Sequence, residues 1–244
     1  MRKIDKDTQD VPEILKSENR ENALLTNIEA KKFVSTNLYR TSKVVEKLEL
    51  IYNSHCVYCE KSLLDSPKHI EHYRPKDIYY WLAFSWDNLL LCCSHCNSSK
   101  GTKFPIKNER ACYGDEAFRD IHHLRDKYDE IEEPLTINPE KEDVVDKIVF
   151  NREAKMSSQD ERVQCTIDEV CKLNRKELVE KRARVLNDFI NDINEIGWMC
   201  KSAESEVVCK KLLSSLRKRF FNEEEFYTLR HFVRNNLKTF LRST

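Results

Sequence analysis

Glycine is nearly absent: 244 residues hold only Gly101, Gly114 and Gly197. So few positions free to take φ > 0 argue against a sandwich or barrel built on many tight turns, and favour a mainly helical chain. Long apolar runs are missing too. No stretch approaches the roughly 20 residues needed to cross a bilayer. The opening Met1 to Lys16 alternates charge with single apolar residues, unlike a secretory leader. The expectation is a cytoplasmic chain with no membrane association. Net charge is also lacking, since 42 Lys and Arg balance 42 Asp and Glu. The molecule as a whole therefore offers no basic footprint for nucleic acid. The balance is uneven along the chain. Residues 111–160 hold 14 acidic against 7 basic side chains, and residues 205–244 hold 9 basic against 4 acidic. Contact with phosphates must use local patches and avoid the acidic middle.

Cysteine is what the chain has in excess. Of ten, five fall between Cys56 and Cys96. Cys56-Val57-Tyr58-Cys59 and Cys93-Ser94-His95-Cys96 form two C-x2-C pairs with 33 residues between Cys59 and Cys93. Each such turn presents two thiolates to one metal, and two turns supply the four ligands of a tetrahedral zinc ion. His55, Cys92 and His95 are alternative ligands at less favourable spacing. Four protein ligands leave no open position, so the zinc would be structural, stapling a module too small for a core of its own. The other cysteines, Cys112, Cys165, Cys171, Cys200 and Cys209, read as small buried hydrophobes.

Around this module the chain divides into four regions. Residues 1–52 read as a polar arm followed by one or two helices from about Glu21 to Tyr52, with a break at Ser35-Thr36-Asn37. Residues 53–110 lose helical periodicity and gain Cys, His, Pro and aromatics, as a metal-organised module does. Residues 111–160 form an acidic connector ending in a short β-hairpin between Val144 and Met156. Residues 161–244 read as helices of about 168–200, 204–220 and 223–241, with Thr166 and Asn222 as N-caps. His122-His123 read as ordinary helix residues. The basic run Lys210 to Phe221 reads as an amphipathic helix with a solvated charged face, the alternative being a docking surface.

Between the cysteine pairs lie His69-Ile70-Glu71-His72-Tyr73-Arg74-Pro75, Trp86-Asp87-Asn88-Leu89-Leu90-Leu91 and Cys96-Asn97-Ser98-Ser99-Lys100-Gly101. Hydrolysis of a phosphodiester needs an activated water, and His is the side chain that titrates near neutrality. It also needs a cation to neutralise charge developing on the phosphate. One metal ion with one histidine meets both needs.

The pattern C-x2-C, acid-His, Asn-Leu, C-x2-C-Asn-x2-Lys resembles the cysteine-containing HNH endonucleases. That resemblance implies a ββα-metal module in which two short strands and a helix hold one catalytic divalent cation beside a separate structural zinc. Carried onto this sequence, His72 is the general base, Glu71 and Asn97 ligate the catalytic cation, and Asn88 braces the loop that orients the base. Glu71 stands where the family more often has Asp, and Asn97 where it has His or Asn. Oxygen-rich ligation implies Mg2+ or Mn2+. Arg74 and Lys100, both inside the module, are expected to hold the scissile phosphate. His69 is expected to be a strand residue supporting the site.

The longer string His69 to Lys76, with Trp86-x-Asn88-Leu89-Leu90-Leu91 and Lys100-Gly101-x-Lys103-Phe104-Pro105, resembles the narrower PtuB-like HNH proteins of the Septu and certain retron anti-phage systems. So do Met1-Arg2-Lys3-Ile4, the Leu135 to Pro139 loop, and Thr166-Ile167 through Arg182. This implies a nuclease effector with a PtuA-like ATPase partner of the ABC or SMC type. The chain itself carries no Walker motif, consistent with a partner supplying ATP hydrolysis. In retron-linked members a reverse transcriptase and its RNA–DNA product join the set. The target is DNA or tRNA, with DNA first on the general HNH pattern. The alternative is a zinc-stabilised nucleic-acid-binding or scaffold module whose nuclease site has degenerated.

Overall fold

The apolar spacing after the N-terminal arm does produce two helices. In the computed structural model, which describes residues 1–114, 120–202, 206–223 and 225–241, α1 spans Glu18–Ala30 and α2 spans Ser42–Ile51. Ser17 caps α1 by accepting the Arg20 N–H, and Lys31 ends it in the left-handed conformation at φ 50°. The expected break lies between the two helices.

The arm before α1 packs into the molecule. Met1, Val11 and Leu15 are buried. Lys6 lies wholly inside, its Nζ donating to the carbonyls of Trp86 (2.8 Å) and Leu89 (2.7 Å) and pairing with Glu140 at 2.7 Å. A buried ammonium persists only with such partners. This one fixes the turn that leads into the second strand.

The expected ββα unit follows. Strand β1 (Lys68–His72) pairs antiparallel with β2 (Leu89–Cys93), placing Lys68 opposite Cys93 and His72 opposite Leu89. Every residue of β2 is buried, because α2 packs against the sheet and α3 (Ser94–Lys100) folds back on it directly from Cys93. A strand covered on both faces reads as an unbroken apolar run, which is what Leu89-Leu90-Leu91-Cys92-Cys93 is.

In the acidic connector, α4 covers Arg125–Glu132. The short hairpin pairs β3 (Val149–Phe150) with β4 (Met156–Ser157). Its turn is organised by Asn151, whose Oδ1 accepts the N–H groups of Glu153 (3.0 Å) and Lys155 (2.9 Å).

Three expectations about the C-terminal third are corrected. Thr166 does not start a helix. It is the first residue of the π-turn Thr166–Val170 that continues α5 (Glu161–Cys165), and Asp160 caps α5, accepting from Arg162 and Val163. The Thr166 hydroxyl bonds back to the Arg162 carbonyl and accepts the Ile137 N–H, both at 2.9 Å. A threonine can cap forward or bond backward, and sequence alone does not separate the two. The long helix α6 begins only at Lys176 and runs to Ser202. Asn222 ends α7 (Glu206–Asn222), while α8 (Tyr227–Asn235) starts after Phe226 at φ 55° and is followed by α9 (Leu237–Phe240). Positions 204, 205 and 224 of the expected helices lie outside the described residues.

Among the scattered cysteines, Cys165 and Cys171 are buried as expected. Cys112 is exposed, and Cys200 and Cys209 are joined in a disulfide between α6 and α7. Among the described residues no helix is long and apolar enough to cross a membrane.

Candidate active site and cysteine cluster

The two C-x2-C turns converge. The four sulfur atoms of Cys56, Cys59, Cys93 and Cys96 lie within 4.8 Å of one another and all four residues are buried. The Cys59 and Cys93 sulfurs are 3.8 Å apart. Thiolates at about 2.3 Å from a tetrahedral zinc stand roughly 3.8 Å from each other, so the cluster fits the ion. Local structure sets this up. Glu60 turns the chain sharply at φ 60° after Cys59, and the Cys93 sulfur caps α3 by accepting the Cys96 N–H at 3.5 Å.

The electrostatics suit thiolates. Arg175 brings both guanidinium Nη atoms to 3.7 Å from Cys96 Sγ and one to 4.0 Å from Cys93 Sγ. Hydrogen bonds among the four thiols, those with Cys56 first, hold Cys93 well below the usual thiol range and Cys96 well above it, so without an ion the negative charge settles on part of the cluster. His55, Cys92 and His95 stay outside the cluster.

A cleft of about 470 Å³ runs along β1, lined by His69, Glu71, His72 and Asn97 together with Tyr39, Arg40, Lys68, Lys76 and Asp77. The sequence-predicted base and both predicted cation ligands therefore share one cavity. His72 is 5% exposed. Its ring meets Tyr39 edge-on with centroids 4.7 Å apart, and its Nε2 donates to the Ala83 carbonyl at 2.9 Å. A carbonyl oxygen can only accept, so this bond places the proton on Nε2 and leaves the Nδ1 lone pair unprotonated. Burial pushes the His72 pKa down to about 3, so the ring is neutral but a weaker base than a free imidazole that titrates near neutrality.

Asn88 is tied into the backbone by three hydrogen bonds. Its Oδ1 accepts the Arg74 N–H at 2.7 Å, and its Nδ2 donates to the carbonyls of Arg74 (3.0 Å) and Leu82 (3.2 Å). It thereby ties the end of β1 to the segment that carries Ala83.

Glu71 is 4% exposed and its Oε1 accepts from Lys100 Nζ at 2.7 Å. Burial pushes its carboxyl up, and the Lys100 ammonium opposes that shift. Asn97 sits half-buried on α3, with the Cys92 thiol 4.0 Å from its Oδ1. The Glu71 carboxylate and the Asn97 amide oxygen, both lining the cleft, are hard donors of the kind a small divalent cation takes. The residues present fit such an ion.

The two residues expected to hold phosphate are placed otherwise. Lys100 is fully buried, and besides Glu71 its Nζ donates to the His72 carbonyl at 2.7 Å. Arg74 is 1% exposed and pairs with Glu132 and Asp129, each at 2.7 Å. Both cations point into the protein and are committed to carboxylates there, Glu71 and Glu132 buried and Asp129 partly so. The cations that do line the cleft are Arg40, Lys68 and Lys76, of which Lys68 is paired with Glu49 at 2.8 Å. Lys76 follows Pro75 within the motif string, a signal that was available. Arg40 lies between α1 and α2, outside the module, and nothing in its local sequence marks it.

Residues 56–103 match the family model described as HNH endonuclease. The chain is similar to Septu protein PtuB of Bacillus mycoides (strain KBAB4), 33% identical over 169 residues, covering 62% of this chain and 53% of that protein. It is also similar to Septu protein PtuB of Bacillus thuringiensis, 47% identical over 62 residues, or 23% of this chain and 24% of that one. A third relative is Septu protein PtuA of Bacillus mycoides (strain KBAB4), 24% identical over 193 residues, covering 73% of this chain and 25% of that protein. The chain thus spans about half the length of the first of these relatives and about a quarter of the other two. No solved structure matches.

Proposed function

We propose that this PtuB-like HNH protein is a metal-dependent endonuclease that hydrolyses phosphodiester bonds of nucleic acid, acting as the effector of an anti-phage system with a PtuA-like ATPase partner. The observation that carries this reading is the Nε2 bond of His72 to Ala83, which leaves Nδ1 as a base in the same cleft as Glu71 and Asn97. His72 Nδ1 takes a proton from water, the water oxygen forms a bond to phosphorus, and the opposite P–O ester bond breaks, its oxygen leaving as a hydroxyl that takes a proton from solvent. Asn88 holds the segment on which the ring is oriented. Arg40 and Lys76 face the cleft where the phosphate would lie. A divalent cation bound by Glu71 and Asn97, Mg2+ or Mn2+, would neutralise charge developing on the phosphate and leaving oxygen. The cysteine cluster would hold zinc with no open position, so its work is structural.

The relatives that support the defence role all carry the Septu name, which favours a Septu partner over a retron one. That a quarter of one PtuA resembles this chain supports association with PtuA. DNA is the first substrate to test and tRNA the second. One observation favours a degenerate, scaffolding module instead: Lys100 already neutralises Glu71 without any cation. Sequencing nucleic acid ends produced in cells on induction, with and without the ATPase, separates the readings. New ends that vanish with His72→Ala support the nuclease and report its substrate. Protection from phage without such ends would support the scaffold.

A further inference from the structure

We propose that His69 is a third ligand of the cation in the β1 cleft, and that its imidazole biases the site toward Mn2+ over Mg2+. The proposal rests on the reading of that cleft as a metal-dependent site.

Strand geometry places the residue. Side chains two apart on a strand share a face, with Cα atoms about 7 Å apart. His69 and Glu71 therefore emerge on the same side of β1. Glu71 marks that side as the one covered by α3, because its carboxylate meets Lys100 of that helix. Asn97 precedes Lys100 by one helical turn on the same face.

Cross-strand register closes the triangle. His69 stands opposite Cys92, and paired residues project on the same face of a sheet with Cβ atoms about 5 Å apart. The Cys92 sulfur is in turn 4.0 Å from Asn97 Oδ1. Glu71, His69 and Asn97 thus border one end of one cavity, and all three line it.

The hydrogen bonding of the other histidines sharpens the case. All seven histidines are described. His55, His72 and His95 bond to Asn53, Ala83 and Ser94, His122 accepts the Trp86 N–H, and His123 and His231 approach Asp120 and Asp146. His69, half-buried, is the one with no such partner among the described residues. An imidazole in that position, on the strand face that carries a carboxylate with one oxygen free of any ion pair, adds a nitrogen donor to the oxygens of Glu71 and Asn97. Nitrogen donors suit transition ions, whereas Mg2+ takes oxygen.

The test uses full-length protein with its zinc in place, titrated with Mn2+ and followed by the electron paramagnetic resonance of free Mn2+, and with Mg2+ in competition. Zinc content and circular dichroism confirm that each variant is folded. His69→Ala and His69→Gln are expected to weaken Mn2+ binding by roughly tenfold or more while changing Mg2+ competition far less. His69→Asp is expected to restore Mn2+ binding and narrow the preference over Mg2+. If Glu71→Ala weakens Mn2+ binding but neither neutral His69 variant does, this inference is overturned and the nuclease reading stands. If Glu71→Ala also leaves Mn2+ binding unchanged, both are overturned.

Discussion

The Nε2 of His72 lies 2.9 Å from the carbonyl oxygen of Ala83, and the preceding carbonyl, that of Leu82, is held by Asn88 Nδ2 at 3.2 Å. The two contacts couple His72 to Asn88 through one stretch of backbone. The tautomer of His72 is therefore a property of the loop between β1 and β2, and Asn88 is the side chain that fixes that loop.

Asn88→Ala should remove three hydrogen bonds from a site 3% exposed. Leaving the Arg74 N–H and two carbonyls unpaired should cost about 2–3 kcal/mol of stability. Cleavage should fall beyond what the unfolded fraction explains. Asn88→Asp should be no better, since its second oxygen would face two carbonyls. Denaturant unfolding alongside cleavage rates checks both expectations.

Lys100 and Lys76 should behave as opposites. Lys100→Met strands Glu71 in a buried position and should destabilise the fold by about 3–5 kcal/mol. Lys76→Ala touches a side chain at the cleft and should leave the midpoint of unfolding nearly unchanged while raising KM and flattening the salt dependence of substrate binding. Reversed outcomes would restore Lys100 as the phosphate contact.

Zinc should be present at one ion per chain, and Cys93→Ser should reduce it. Because the four thiolates join the turn before β1 to the start of α3, chelation should lower the melting temperature by roughly 10 °C or more. Elemental analysis with calorimetry checks both.

Stability should show two opposed pH effects near the Trp86 turn. Burial pushes Asp87 up to about 6. The folded state then holds a proton that the unfolded state has released, and this stabilisation is lost as pH rises from about 4 to 6. Burial pushes His122 down to about 4. Its contribution has the other sign, present above pH 6.5 and lost as pH falls toward 4. In the wild type the two largely cancel. Asp87→Asn should unmask the His122 slope, up to about 1.4 kcal/mol per pH unit and rising with pH. His122→Gln should unmask the reverse. Urea unfolding at pH 4.5, 5.5 and 6.5 measures each slope.

What could be read in the sequence followed residue type and spacing. The cysteine pairs, the acid before His72, and Asn88 before the apolar run Leu89 to Cys93 gave the ββα unit because each is a local pattern with one good structural solution. Direction could not be read the same way. Arg74 and Lys100 have the right charge for phosphate, but Glu132 and Asp129, more than fifty residues downstream, decide where Arg74 points, and Lys100 points inward to Glu71 across the fold. Tyr39 and Arg40 join the cleft only because α2 packs on β2. Thr166 failed as a cap for the same reason: its hydroxyl is used by Ile137, a contact that tertiary structure creates.

The central claim is that His72 is the base of a nuclease. The most direct measurement is single-turnover cleavage of plasmid DNA and of tRNA by the zinc-loaded protein with its ATPase partner and Mn2+, comparing wild type with His72→Ala. The account predicts cleavage by the wild type and a loss on the order of 10²–10⁴-fold in the variant, with zinc content and fold unchanged. Equal rates from the two proteins, or no cleavage of either substrate by the wild type, would contradict it.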